Sequence, residues 1–356
     1  MPGVQALRAR AAGHGKGGGM AQHATVGSPA VPDGTGARLV LDARALNGET
    51  PTWCPERKRL FWVDMREPAL HEFDPATGRD ETWAMPAWIG CYGLDADGAV
   101  VALRTGLHRL DFGTGALDLL APPPCDPRRF LLNDGGCDPA GRFLVGPMYH
   151  PLAPGDRQPG VAPASPLWRY DGGGRWTAVT EPVKTSNGLA WSPDGRTMFH
   201  ADTSQHTIWA YDYDPATGAA ANKRVFARVE EGGQDGGPDG AAVDRDGFYW
   251  CAVFGAGCLL RFDPGGRLER RVAMPVQFPT MPAFGGDALD TVYVTSATWP
   301  LSEEERRRRP EEGGLFAFAA PVPGLPAACV RLGEQRTGHG LDGAASAISH
   351  PPPSAR

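Results

Sequence analysis

Three polar residues stand at one fixed distance from a turn glycine. Asn133, Asn187 and Asp239 each lie eight positions before a glycine, in LNDGGCDPAGR, TSNGLAWSPDGR and PDGAAVDRDGF. The glycines suit tight turns, because glycine adopts positive backbone angles without steric cost. Amide and carboxylate oxygens held at one register are ligands for a hard divalent cation. The spacing therefore predicts a metal or polar-ligand site built from repeated segments.

Equivalent positions in other copies of the segment extend this set. Glu49, ahead of TPTWCPERKRL, takes the position in the first copy, and Gly90 takes it in the second. In the last copy the position falls within 280–282. Two carboxylates and two amides gathered at one point would be an electrostatic liability without a cation. Carboxylates bind Ca²⁺, Mg²⁺, Mn²⁺ and Zn²⁺, so we expect one divalent metal cation of open identity.

The elements that position these residues are repeated short strands. Six copies occur at a spacing of about 40–55 residues, within the range of repeat architectures. Each copy has aromatic and β-branched runs closed by Asp-Gly or Asp-Pro-x-x-Gly turns, which are strand and hairpin signals. This pattern predicts an all-β fold, a six-bladed β-propeller with four-stranded antiparallel blades. A sandwich or two barrels would use similar strands but would not explain one recurring unit.

A propeller brings one repeat position of every blade to the same place. The innermost strands all run along the central axis, so equivalent residues form a ring at one height. The position eight residues before the glycine lies at the start of the innermost strand. We therefore expect the polar residues at one mouth of the central channel.

Composition narrows the class of function. The 356 residues include 48 Gly and 35 Pro, which suits short strands and turns better than helices. A net charge of −6 and no basic stripe argue against nucleic acid as a partner. No apolar run has the length of a membrane span. Seven cysteines without a CxxC pair indicate reduced thiols in a cytoplasmic protein.

The chain divides into three predicted segments. Residues 1–37 are rich in Gly and Ala and lack a signal-peptide apolar core, so we predict a disordered leader, with Met20 as an alternative start to Met1. Residues 38–334 form the predicted propeller domain. Residues 335–356 are polar, end in SHPPPSAR, and are predicted to be a disordered tail. The sequence does not determine the oligomeric state.

Several sequence segments together resemble the gluconolactonase/regucalcin (senescence marker protein) family. They are GETPTW (48–53), LNDGGCDPAGRFLVGPM (132–148), SNGLAWSPDGRTMFHAD (186–202), PDGAAVDRDGFYWCA (238–252) and PAFGGDALDTVYVTSAT (282–298). The likeness runs in order from about Leu39 to Leu332. It implies a six-bladed propeller that binds one divalent metal near the channel mouth and hydrolyses sugar lactones.

The resemblance also implies roles for individual residues. The family's metal ligands fall on Glu49, Asn187 and Asp239, which the register selects independently. Its substrate-contacting asparagine falls on Asn133. Asp239 is the expected catalytic base, since hydrolysis requires an activated water.

Two positions depart from the family pattern. Leu131 stands where an arginine often contacts the sugar, and Tyr149 and His150 stand near the place of a frequent acidic residue. We therefore include these three residues among the expected substrate-binding positions and leave the sugar open. Tyr92 and Trp299 are further candidates for lining the pocket.

The predicted activity is that of a carboxylic ester hydrolase. A metal-dependent enzyme would open a sugar lactone such as gluconolactone, arabinolactone or xylonolactone to the aldonic acid. The sequence has no GxSxG, HExxH or P-loop motif to support other chemistry. Two alternatives stay open, because fold alone does not decide function. One is hydrolysis of another ester or an organophosphate at the same metal site, and the other is a non-enzymatic calcium-binding or interaction propeller.

Overall fold

Every strand of the structure belongs to one of six sheets. The computed structural model describes residues 36–152, 163–230, 232–233 and 236–332. Within these residues, 24 strands form six four-stranded antiparallel sheets. The predicted six-bladed propeller is confirmed. Residues 1–35 of the predicted leader and all of the predicted tail lie outside the described residues.

The blades follow the chain in order. Blade 1 contains β2 (Gly48–Cys54), β3 (Arg59–Asp64), β4 (Ala69–Asp74) and β5 (Arg79–Ala84). Blade 2 contains β6 (Ile89–Leu94), β7 (Gly98–Leu103), β8 (Gly106–Asp111) and β9 (Leu117–Ala121). Blade 3 contains β10 (Phe130–Cys137), β11 (Phe143–Tyr149), β12 (Trp168–Tyr170) and β13 (Trp176–Ala178).

The second half repeats this order until the ring closes. Blade 4 contains β14 (Ser186–Trp191), β15 (Thr197–Asp202), β16 (Thr207–Asp214) and β17 (Ala219–Arg228). Blade 5 contains β18 (Gly237–Val243), β19 (Tyr249–Phe254), β20 (Cys258–Phe262) and β21 (Leu268–Ala273). Blade 6 contains β22 (Pro279–Gly285), β23 (Thr291–Ser296), β24 (Leu315–Ala319) and, as its outermost strand, β1 (Arg38–Leu41).

The last blade is completed by the first strand. β1 pairs antiparallel with β24, with Leu39 opposite Phe316. The first strand of the propeller therefore joins the sheet formed by its last three strands. This pairing holds the ring closed, since it links blade 6 to the chain that enters blade 1.

The hydrophobic core lies between neighbouring blades. One cluster joins blades 4 and 5 and contains Phe199, Tyr249 and Phe262. Another joins blades 5 and 6 through Trp250 and Phe284. Burial of each such side chain stabilises the fold by roughly 1.5–3 kcal/mol. Face-to-face packing of this kind fixes each blade, and hence its innermost strand, against the next.

The innermost strands form a closed ring, and each carries a β-bulge. β2, β6, β10, β14, β18 and β22 each contact the next, and β22 contacts β2. In all six, the register with the second strand of the blade shifts near the strand's start. A bulge bends the strand and re-aims its side chains. The residues at these shifts are Glu49, Gly90, Asn133, Asn187, Asp239 and Thr280.

The other mouth of the channel is crossed by the chain after β24. The backbone N–H of Arg245 in blade 5 donates to the carbonyl of Pro323 at 2.9 Å. Further along, the N–H of Val330 donates to the carbonyl of Leu94 in blade 2 at 2.7 Å. Residues 320–332 therefore span this mouth from one side of the ring to the other.

A single α-helix is found in the described part of the chain. It covers Glu303–Arg308, and a capping box between Ser302 and Glu305 begins it. Its acidic first turn and basic last turn complement the helix dipole. Among the described residues, no helix combines the length and apolar character needed to cross a membrane.

Candidate metal and substrate site

Four predicted polar residues lie on the bulges of four different blades. Glu49 is on β2, Asn133 on β10, Asn187 on β14 and Asp239 on β18. Asn133, Asn187 and Asp239 are each 6% exposed, and Glu49 is half-buried. Buried polar side chains need partners, so their contacts show what the arrangement can do.

The two asparagines are joined directly. Nδ2 of Asn133 donates to Oδ1 of Asn187 at 2.9 Å and to the backbone carbonyl of Ser186, also at 2.9 Å. An amide nitrogen has two hydrogens, and both are used here. Oδ1 of Asn133 is the atom that remains for a ligand, and it can only accept a hydrogen bond.

Asn187 is linked in turn to the strand that carries Asp239. Its Nδ2 donates to Oγ1 of Thr203 at 2.8 Å, and that hydroxyl donates to the carbonyl of Pro238 at 2.7 Å. Pro238 immediately precedes Asp239 on β18. A continuous hydrogen-bonded chain therefore runs from blade 3 through blade 4 to blade 5.

The carboxylates of the site lie close enough to interact. Burial, followed by the charges of Asp239 and Asp134, raises the pKa of Glu49 well above its ordinary value, and the N–H of Thr50 offsets this in part. Burial and Asp134 likewise raise the pKa of Asp239, against the N–H of Gly240. No Lys or Arg from the described part of the chain contributes to either shift. The site therefore concentrates negative charge without a cationic side chain.

Asp134 is a third acidic residue of the site, which the sequence analysis did not select. Its Oδ1 accepts from the N–H of Gly135 at 2.8 Å, and its Oδ2 accepts from the N–H of Leu189 at 3.1 Å. Burial raises the pKa of Asp134 to about 6. The carboxylate thus ties the bulge of blade 3 to that of blade 4. Its position directly after Asn133 was the signal available in the sequence.

The donor set fits a hard divalent cation. In the described ranges, no three His, Cys, Asp or Glu side chains cluster tightly enough to hold a metal by themselves. An amide oxygen can complete a set built on Glu49 and Asp239, and the hydrogen-bonded chain of Asn187 reaches the residue before Asp239. Two buried carboxylates without a cationic partner are costly, and a bound cation would remove that cost.

Leu131 and Tyr92 are fully buried. Leu131 has no exposed surface and pairs with Met148 in the sheet of blade 3. Tyr92 is 1% exposed and packs in the core between blades 1 and 2. Both side chains are buried in the described structure, and a role of either in binding substrate stays a prediction.

Tyr149 and His150 lie at the end of β11, beside the mouth. Tyr149 packs edge-on against Phe130, with ring centroids 6.0 Å apart. Nδ1 of His150 lies 3.0 Å from a guanidinium nitrogen of Arg104. Arg104 also donates to the carbonyls of Pro127 and His150. The arginine thus fixes the loops on either side of β10 and β11, and Tyr149 and His150 with them.

An aromatic rim borders this mouth, and the sequence analysis found only part of it. Arg66 lies between two indole rings, 4.9 Å from the ring centre of Trp88 and 4.3 Å from that of Trp299. Trp299 stacks on Phe254 at 5.8 Å, and Trp88 lies 4.9 Å from His150. These five residues, which we call the aromatic rim, come from five different blades or blade connections. Trp299 is 41% exposed, as a pocket-lining role requires.

Ser186 and His200 form a hydrogen-bonded pair below the site. Oγ of Ser186 lies 2.7 Å from Nε2 of His200, and the two residues are 1% and 0% exposed. Burial lowers the pKa of His200 to about 3, so the ring is neutral. A substrate cannot reach a serine in this position. The pair supports the strand that carries Asn187 and does not form a nucleophilic site.

A cavity lies on the far side of the ring, away from the four polar residues. It has a volume of about 480 Å³ and is lined by innermost-strand residues beyond the bulges, including Trp53 and Trp191, and by residues 325–328 of the crossing segment. None of the four predicted polar residues lines it. The chemistry of the site therefore belongs to the opposite mouth.

Comparisons with known proteins agree with this geometry. Residues 47–298 match the family described as SMP-30/Gluconolactonase/LRE-like region. The chain is 39% identical to a 6-deoxy-6-sulfogluconolactonase of Pseudomonas putida over 81% of this chain and 96% of that protein. It is 34% identical to an L-arabinolactonase of Azospirillum brasilense, over 82% of this chain and 94% of that protein.

A solved structure supports the same assignment. The calcium-binding protein regucalcin from Agrobacterium tumefaciens superposes with a TM-score of 0.76 at 28% identity, covering 84% of this chain and 98% of that one. The region matched by the family model covers blades 1 to 5 and the first two strands of blade 6, including the strands that carry Glu49, Asn187 and Asp239. The chain belongs to the SMP-30/gluconolactonase/LRE-like family.

Proposed function

We propose that this protein is a metal-dependent hydrolase that opens sugar lactones to aldonic acids. The observation that carries the proposal is the charge interaction between Glu49 and Asp239, to which no cationic side chain of the described residues contributes, beside the hydrogen-bonded chain that links Asn187 to the strand of Asp239. Relatives named as lactonases align over nearly their whole length. The metal ligands would be Glu49, Asn187 and Asp239.

The residues of the site supply the steps of hydrolysis. A bound divalent cation would act as a Lewis acid on the lactone carbonyl. Water attacks the carbonyl carbon, the ring C–O bond breaks, and Asp239 takes the proton of the water and returns it to the departing ring oxygen. Asn133 accepts a hydrogen bond from a sugar hydroxyl through its Oδ1, because both of its N–H groups are already used.

The aromatic rim indicates the substrate class. Indole faces pack well against the C–H surface of a sugar ring. The guanidinium of Arg66, on the turn after β3, suits an anionic substituent at the far end of the lactone. The Pseudomonas putida relative is named for a lactone that carries a sulfo group. We place this substrate class first, with neutral pentono- and hexonolactones second.

The metal and the compartment are further parts of the proposal. An all-oxygen ligand set favours Ca²⁺, Mg²⁺ or Mn²⁺ over Zn²⁺. The Agrobacterium tumefaciens relative is described as calcium-binding. None of the seven cysteines is in a disulfide, which agrees with a reducing compartment such as the cytoplasm.

A lactone panel with and without metal tests this function. We expect chelation to abolish turnover and Ca²⁺, Mn²⁺ or Mg²⁺ to restore it, with kcat/KM for 6-deoxy-6-sulfogluconolactone about tenfold above that for gluconolactone. Asp239→Asn should lower kcat by about 10²–10⁴-fold, the range of a lost general base. Asp246→Asn, at an exposed turn of the same blade, is the matched control. Turnover that survives both chelation and Asp239→Asn would refute the proposal.

A further inference from the structure

The ligand role of Asn187 depends on which way its amide points. A cation binds the amide oxygen and is repelled by the amide N–H groups. The two ends of an asparagine amide have the same shape, so packing alone does not select one. Its hydrogen-bond partners must make the selection.

Two backbone carbonyls determine the direction of the whole chain of hydrogen bonds. Thr203 has one hydroxyl hydrogen, and it is donated to the carbonyl of Pro238, which can only accept. Toward Asn187 the hydroxyl must therefore accept, so the amide group facing it is NH₂. At the other end, the amide of Asn133 faces the carbonyl of Ser186 with its NH₂, and the same NH₂ meets the oxygen of Asn187.

The chain also connects two proposed ligands. Thr203 belongs to the 3-10 turn between β15 and β16 of blade 4, and it holds the strand of blade 5 at the residue before Asp239. A shift of this turn would move Asn187 and Asp239 relative to each other. One hydroxyl thus sets both the direction of the amide and the spacing of the two strands.

We propose that Thr203 is a positioning residue that holds the oxygen of Asn187 toward the cation. The inference rests on the proposed metal site, but it concerns a residue that would touch neither metal nor substrate. Partners of metal ligands typically contribute about 10–100-fold to metal affinity. Loss of the hydroxyl leaves the NH₂ of Asn187 without its acceptor, so only the NH₂ of Asn133 still opposes the opposite orientation of the amide.

The experiment measures binding of the metal alone. Chelator-treated wild type, Thr203→Val and Thr203→Ser are titrated with Ca²⁺ and Mn²⁺ by calorimetry. Valine has the shape of threonine without the hydroxyl, and serine keeps the hydroxyl. Thr207→Val is the matched control, since its hydroxyl also donates to a carbonyl at 2.7 Å, that of Gln205, in the same blade. Thr203→Ala serves as a second variant without the hydroxyl if the valine variant does not fold.

We expect Thr203→Val to weaken metal binding about 10-fold or more, and Thr203→Ser and Thr207→Val to stay within about threefold of wild type. Wild-type affinity in the valine and alanine variants would overturn the inference and leave the proposed function intact. If the variants bind metal as expected but the wild type hydrolyses no lactone, the positioning role of Thr203 is supported and the proposed function is rejected. A wild type that takes up neither metal would overturn both.

Discussion

At the scale of single residues, the buried carboxylates of the site lower the stability of the metal-free protein. Glu49 and Asp239 are acidic groups whose charged forms are disfavoured by burial and by neighbouring carboxylates. A carboxyl with a raised pKa in the folded state binds a proton more tightly there than in the unfolded chain. Stability then falls as pH rises above the unfolded value near 4, because folding requires either holding the proton or burying the charge.

We therefore expect Asp239→Asn to stabilise the metal-free protein. In chelator, its Tm should exceed that of wild type by about 2 °C or more at neutral pH, the shift that roughly 1 kcal/mol produces in a domain of this size. The difference should grow from pH 4.5 to pH 7.5, because the asparagine does not ionise. Thermal unfolding across this range measures it.

In saturating Ca²⁺, the Tm of wild type should exceed that of Asp239→Asn, since only wild type gains free energy from binding the cation. A variant that is less stable than wild type in chelator at neutral pH would contradict the electrostatic account. Asp246→Asn, outside the site, should show neither effect.

The sequence identified these residues because their register is periodic. Asn133, Asn187 and Asp239 share one spacing, and the structure places all of them at bulges. Asp134 and Thr203 have no counterpart in the repeat, so the periodic register does not select them, and their contacts in the structure show their roles. A periodic pattern identifies residues that recur in every blade. It does not identify positioning residues, which occur in one blade alone.

At the scale of elements, the closeness of neighbouring innermost strands restricts the side chains at the bulges. Gly90 occupies the bulge of β6, where the other blades carry polar residues. A Cβ atom there would lie 1.9 Å from the carbonyl oxygen of Leu132 and 2.4 Å from that of Asn133. Glycine at this position therefore lets β10 approach β6 and sets the place of Asn133.

Gly90→Ala should accordingly force β6 and β10 apart. We expect a loss of roughly 2–3 kcal/mol in the free energy of unfolding, as for other overpacked sites, measured by urea denaturation. KM for the lactone should rise as well, because Asn133 moves with β10. The matched control is Gly136→Ala in β10, where a Cβ atom meets nothing within 4 Å. Equal stability of the two variants would show that the strands can separate without cost.

At the scale of the whole molecule, the ring depends on a pairing between the two ends of the propeller. β1 supplies the outer strand of blade 6, and Leu39 packs against the core shared by blades 5 and 6. The closing strand adds a long-range link whose loss would leave blade 6 with three strands. The pairing of β1 with β24 has little effect on the unfolded chain, but it completes the hydrophobic core of blade 6 in the folded protein.

Deletion of the closing strand tests this dependence. A chain that begins at Asp42 should unfold with a Tm about 5 °C or more below that of the full chain, because the partly buried leucines of β1 each contribute on the order of 1–2 kcal/mol. A chain that begins at Gly36 keeps β1 and should match the full chain within about 1 °C. Calorimetry measures both, and equal values for the two truncations would show that the ring closes without β1.

The number of blades could be predicted from the sequence, but the closure could not. Turn glycines and short β-rich runs mark each strand locally, and their repetition gives the architecture. The RLVL segment of β1 carries no signal for the blade that it joins, since its partner lies more than 270 residues away. Likewise nothing in the segment after β24 indicated that it would cross the channel.

Residues 320–332 cross the far mouth of the central channel and leave the mouth beside the polar residues uncovered. Because this segment crosses the far mouth, we expect a lactone to enter and its acid to leave by the mouth that Arg66 and its neighbouring indoles border. The acid must therefore leave the site before the next lactone can bind. An anionic product that lingers at the arginine would then obstruct its successor, and inhibition by product should be competitive.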